Sequence, residues 1–110
     1  MFYTFPGDFK DRELSPGVAT KLIWGEKLML SLVTVEAHAP IRPLHTHPHE
    51  QMGIVLEGEM TLTIGEESRR LKKGDGFRVP PNVPHGITEP SDRRALVLDV
   101  FCPAREDYKS

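Results

Sequence analysis

Residues 43–58 read P-L-H-T-H-P-H-E-Q-M-G-I-V-L-E-G, placing three of the chain's five histidines within five positions, ahead of an apolar run and a turn at Glu57-Gly58. In an extended chain successive side chains point to opposite faces. His45, His47, His49 and Gln51 therefore share one parity, and Thr46, Pro48 and Glu50 take the other. Two imidazoles at adjacent same-face positions can close on one metal ion, since each offers a neutral ring nitrogen. A bare H-x-H is more often a polar loop of exposed histidines, so the metal assignment needs support from elsewhere in the chain.

The flanking sequence is that of a β protein. Residues 18–24 and 27–36 read as strands around a break at Gly25-Glu26. Residues 51–57, 59–64, 68–72, 77–79 and 95–101 continue the series, with turns around Gly58, Gly65 and Gly74-Asp75-Gly76 and a polar turn over 89–94. Ten prolines and nine glycines among 110 residues favour many tight turns and short strands over long helices. Many short strands at regular spacing predict an all-β sandwich or barrel. In residues 27–36, Leu28, Leu30 and Leu32 lie on one face and Met29, Val33 and Val35 on the other. A sheet with a single core would alternate apolar and polar. A second sheet accounts for one cover, and a partner subunit, hence a homodimer, is expected for the other.

A chain of this length is expected to be one domain over 1–110, with 1–16 as an N-terminal arm or edge segment and 103–110 as a charged tail capable of a helical turn. The net charge of −2, with both signs scattered, makes no electrostatic case for nucleic acid or a membrane surface. The first eleven residues lack the basic start and apolar stretch of a signal peptide, and Cys102 is the only cysteine, so a reduced cytoplasm is expected.

Beyond H-x-H, the chain resembles the cupin superfamily, whose first motif is written G-x5-H-x-H-x3,4-E-x6-G and whose second is G-x5-P-x-G-x2-H-x3-N. His45, His47, Gln51 and Gly58 match the first, and Gly74, Pro80 and His85 the second, with fifteen residues between Gly58 and Gly74. The resemblance implies a double-stranded β-helix, or jelly-roll barrel, holding one divalent transition metal on His45, His47, Gln51 and His85. Zinc, nickel, iron, manganese and copper are not separated by such a donor set. Ala39, Asn82 and Glu89 depart from the motif positions for Gly, Gly and Asn. Asn82 is tolerated because Asn adopts the left-handed turn conformation better than most residues. Gln51 in place of Glu matters most. Three imidazoles and an amide leave the ion's charge uncompensated, which weakens retention and strengthens Lewis acidity. It also removes the carboxylate usual in the superfamily's oxygen-activating iron sites, which favours non-redox chemistry. Glu50 has the wrong parity to substitute. His49 is expected near the pocket but outside the ligand set, and His38 on the surface.

In residues 95–101, A-L-V-L-D-V-F, Asp99 interrupts an apolar run and shares a face with Val97 and Phe101. If that face is interior, burial would raise its pKa and a nearby cation would lower it, as in tuned general acids and bases. If the strand end frays, Asp99 is simply solvated. Residues 98–108, L-D-V-F-C-P-A-R-E-D-Y, taken with H-T-H-P-H-E-Q and P-P-N-V-P-H-G, narrow the resemblance to the pectin-degradation cupins called KdgF. Those proteins convert 4,5-unsaturated monouronates into linear 4-deoxy-5-keto uronates. The resemblance implies Asp99 as the proton-transfer residue, Phe101 as a pocket wall and Arg105 as the binder of the acidic sugar's carboxylate. Cys102 is expected to pack. The implied activity is a non-redox isomerase of sugar catabolism. A metal-dependent dioxygenase and a non-catalytic small-molecule sensor are the alternatives.

Overall fold

The computed structural model describes residues 1–89 and 91–110; Pro90, within the expected turn over 89–94, lies outside the described residues. Nine strands and one short helix follow in order: β1 (Lys10–Ser15), β2 (Val18–Trp24), β3 (Met29–Val35), β4 (Glu50–Glu57), β5 (Glu59–Ile64), β6 (Glu67–Lys72), β7 (Gly76–Val79), β8 (His85–Glu89), β9 (Ala95–Cys102) and α1 (Glu106–Lys109). They form a six-stranded sheet, β1-β2-β3-β9-β4-β7, facing a three-stranded sheet, β6-β5-β8. Every pairing is antiparallel. This is the all-β jelly roll expected from the motifs. No helix among the described residues is long and apolar enough to cross a membrane.

Alternation along each strand sorts side chains between the sheets and away from them. On β3, Met29, Ser31, Val33 and Val35 point inward and are buried. With Val55, Met60, Leu62, Leu71, Ala95 and Val97, the two valines form the main inter-sheet cluster. A second cluster of Leu22, Met29, Phe101 and Ala104 closes one end of the barrel, with Trp24 and Tyr108 packed on it. Each of the larger side chains (Val, Leu, Met, Phe) removed from water contributes about 1.5–3 kcal/mol, so these clusters hold the sheets against each other. Gly58 makes the β4–β5 turn at φ +75°, and a Cβ there would meet the Arg94 carbonyl oxygen at 2.3 Å, so both conformation and space require glycine.

The outward face of the large sheet is apolar as well. Register places Leu30 beside Val100 and Val100 beside Met52, and in the next row Leu32 beside Leu98 and Leu98 beside Ile54. Leu28 and Met52 are 52 % and 53 % exposed, and Leu30 and Ile54 are exposed too.

Within the N-terminal arm or edge segment, residues 10–15 form an edge strand hydrogen-bonded to β2. Residues 85–89 are a strand, which went unforeseen because H-G-I-T-E offers one large apolar side chain and a glycine.

Candidate metal centre

His45 and His85 exchange backbone hydrogen bonds, N–H of each to the carbonyl of the other, both 3.0 Å, and the Asn82 N–H donates to the His47 carbonyl at 2.8 Å. These three bonds tie the first histidine motif to the second. Asn82 takes φ +65°, the left-handed conformation expected of the residue standing in for glycine. The bridge accomplishes what strand parity alone does not, because residues 46–49 are not a strand. Ligand-capable nitrogens of His45, His47 and His85 lie within 4.8 Å of one another, and Gln51 enters from the start of β4.

The hydrogen bonding assigns the tautomers. His47 Nδ1 donates to the His49 carbonyl at 3.1 Å, and His85 Nδ1 donates to the Val83 carbonyl at 2.8 Å. In each neutral ring the lone pair is therefore left on Nε2. His85 Nε2 is buried with no protein partner among the described residues. His47 Nε2 faces Gln51 Oε1 at 3.1 Å, lone pair against lone pair. Buried acceptors converging without a donor are costly, and a cation between them removes the conflict. Nδ1–H held by a carbonyl is also how metal-binding imidazoles are commonly oriented. The donor set fits a divalent transition metal.

Electrostatics keep the rings neutral. Burial, then the neighbouring His85 and His47 and the Arg105 charge, lower His45 from 6.5 to about 4. Burial and Arg105 lower His47 and His85 as well. Protons thus compete weakly with a metal there. His49 contributes through its carbonyl. Its half-buried ring stands edge-on to His47 at 5.4 Å, and its Nδ1 finds no partner among the described residues. Glu50 points outward and accepts from Arg78 Nε at 2.8 Å, as parity required. His38 is exposed in its turn.

Asp99 lies on the interior face with Val97 and Phe101, in a cavity of ≈ 570 Å³ that also admits His45, Gln51, His85 and Arg105. It is not a frayed strand end. Its Oδ1 is buried without a hydrogen-bond partner among the described residues. Burial pushes its carboxyl from 3.8 up to about 7, against the opposing pull of the Gln51 amide and Arg105. A folded-state value above the unfolded one means the native protein holds a proton that the unfolded chain releases. Ionising Asp99 therefore erodes stability as pH rises from about 4 to 7. The depressed histidines act oppositely, and their contribution is lost as pH falls below 6.5. In metal-free protein the Asp99 ¹³Cγ resonance should titrate near pH 7 and move to lower pH on metal loading. A midpoint near 4 without metal would show the carboxyl to be solvated.

Arg105 is no surface residue: its side chain is 11 % exposed. Nε and Nη2 donate to Asp107 at 3.3 and 2.8 Å, and Nη1 donates to the Tyr108 hydroxyl at 2.9 Å. The guanidinium carbon sits 3.9 Å from the Tyr108 ring centroid and 5.2 Å from that of Phe101. Among the described residues three of its five N–H groups are engaged, leaving two for a ligand. Phe101 is buried, with its ring 5.7 Å from His47. Asp107 and Tyr108 carried no signal of their own in a charged tail, where R-E-D is ordinary. Cys102 is exposed rather than packed, because it is the last residue of β9 and has the outward parity of Leu98 and Val100.

Comparison with known proteins agrees with this geometry. Residues 31–101 match the Cupin domain family. Pectin degradation protein KdgF of Dickeya dadantii is 34 % identical over 98 residues, 87 % of each chain. H2HPP isomerase of Bacillus subtilis is 33 % identical over 78 residues, 69 % of this chain, which spans 33 % of that protein's length. The structure of KdgF from a Halomonas species superposes with a TM-score of 0.85 at 28 % identity, covering 98 % of both chains. With both histidine motifs and strands β4 to β8 inside the matched region, the chain belongs to the cupin family, as a small cupin resembling KdgF.

Proposed function

We propose that this cupin is a metal-dependent isomerase that opens 4,5-unsaturated monouronates into their keto-acid form. The observation that carries the reading is the pairing of a histidine cluster with one buried carboxyl, Asp99, in the same cavity, whose Oδ1 has no hydrogen-bond partner among the described residues. A divalent ion on His45, His47, Gln51 and His85 supplies Lewis acidity toward a substrate oxygen. Arg105 uses its two remaining N–H groups to hold the sugar carboxylate, which fixes the ring relative to Asp99. Phe101 walls the pocket and excludes water from the reacting face. Asp99, with a carboxyl poised near neutrality, gives or takes the proton that converts an enol carbon to the CH₂ beside a ketone. Protons move and no electrons do. That agrees with Gln51 standing where a carboxylate would support oxidised iron, and it separates this reading from the dioxygenase. The relatives named for pectin degradation and for an isomerase support the same class.

Arg105→Ala should raise KM for an unsaturated uronate by at least about tenfold, with kcat moving less, because a carboxylate anchor acts on binding. An unchanged KM in a kinetic titration would remove Arg105 from the substrate.

The protein is further proposed to act as a homodimer through the outward face of the large sheet. Its charged margins are satisfied within the chain, Lys21 by Asp11 and Arg78 by Glu50, which leaves an uncharged centre for a second copy. Light scattering should give twice the chain mass at micromolar concentration, and Leu30→Lys with Met52→Lys should give the monomer. A monomeric parent protein would contradict the proposal.

A further inference from the structure

Asp99 has two neighbours in the sheet, Gly53 on β4 and Ser31 on β3. Ser31 is fully buried, but its hydroxyl is shared with Thr20 at 2.6 Å, so it is committed elsewhere. On the other side Gly53 lies between Asp99 and Phe77 of β7. All of these inward positions form one row across the sheet. A Cβ on Gly53 would meet Phe77 Cζ at 2.3 Å, Asp99 Oδ1 at 2.6 Å and Phe77 Cε1 at 2.7 Å. No real Cβ makes contacts that close. The vacant volume above Gly53 is thus shared by the edge of an aromatic ring and one carboxylate oxygen.

No turn explains this glycine. It sits mid-strand without a positive φ, where glycine lacks side-chain packing and weakens the strand. A mid-strand glycine with side chains lying over it marks a place where another group must approach closely. We propose that Gly53 is a positioning residue for Asp99: the missing side chain is the slot that seats the carboxylate against Phe77 and turns it into the cavity. The proposal rests on the proton-transfer reading of Asp99, and it extends that reading to a residue that touches neither substrate nor metal.

Gly53→Ala should lower kcat on an unsaturated uronate by about ten- to a hundredfold while leaving KM and metal stoichiometry unchanged, because the reacting carboxylate moves and the binding groups do not. Added to Asp99→Asn it should cost nothing further in kcat, since it acts only through that carboxylate. Additive losses would overturn the proposal. Phe77→Leu relieves the ring contact alone, so in that background Gly53→Ala should fold and still depress kcat. Recovery of kcat there would reduce Gly53 to a packing accommodation for Phe77. A crystal structure of the Gly53→Ala protein supplies a readout that does not depend on turnover. Asp99 is expected in a new rotamer, and an unmoved Asp99 refutes the positioning role. If instead Asp99→Asn turns over normally, the proton-transfer reading fails, whereas the rotamer result still decides what Gly53 does.

Discussion

Replacing His85 with alanine should abolish metal retention, with the stoichiometry by plasma mass spectrometry falling from one ion per chain to near none after dialysis. His85 presents a buried Nε2 that no other group among the described residues satisfies, and its other nitrogen is anchored to Val83. Removing it takes away one of three imidazoles in a site that has no carboxylate to compensate. His45→Ala should behave alike. Two controls separate ligand loss from general damage. Glu50→Ala should keep its metal, because Glu50 faces outward to Arg78. His49→Ala should keep it too, because the group that orients His47 is the His49 carbonyl, which the substitution retains. His85→Leu keeps most of the volume while offering no donor atom, so it should lose the metal as well and guards against a merely unfolded variant. Undiminished metal in folded His85→Ala would refute the site.

Asp99→Asn should keep the metal and lose at least about a hundredfold in kcat, the usual contribution of a positioned acid–base group. The amide is nearly the same size, so the row Phe77–Gly53–Asp99–Ser31 keeps its packing. What is lost is the ability to exchange a proton. Because the carboxyl is buried with no partner for Oδ1 among the described residues, the variant should also be at least as stable as the parent above pH 7, where the parent carries a buried charge. A slower enzyme that melts no earlier is a signature that a purely structural residue would not give. Unchanged turnover would sink the proton-transfer role.

Much of this was legible before any coordinates. Alternation in residues 27–36 foretold that both faces of one strand are apolar, and Leu30 and Met29 indeed face opposite ways. Counting by twos along β4 and β9 separates Glu50 from the Gln51 face and puts Asp99 on the face of Val97 and Phe101, but it does not say which face of β9 is interior; the packing of the two sheets decides that. Parity failed where the chain leaves the strand. His45 and His47 come together through the His45–His85 bridge and the Asn82–His47 bond, which join positions far apart in sequence. Non-local pairing of that kind leaves no trace in local periodicity. Arg105 was visible only by resemblance. Its packing between Tyr108 and Phe101 depends on how the last turn folds back over the barrel end, and a charged tail does not announce that. Gly53 is not legible in the sequence, because one glycine in a strand pattern signals a close approach without naming what approaches.

The most direct test of a metal-dependent, non-redox uronate isomerase is incubation of metal-loaded protein with 4,5-unsaturated galacturonate, and with its alginate counterpart, while the enol-ether absorbance is followed alongside dissolved oxygen. The account predicts loss of absorbance with no oxygen consumed, abolished by chelation and restored by added metal. Persistent absorbance with fully loaded protein, or oxygen consumed in step with substrate, would contradict it.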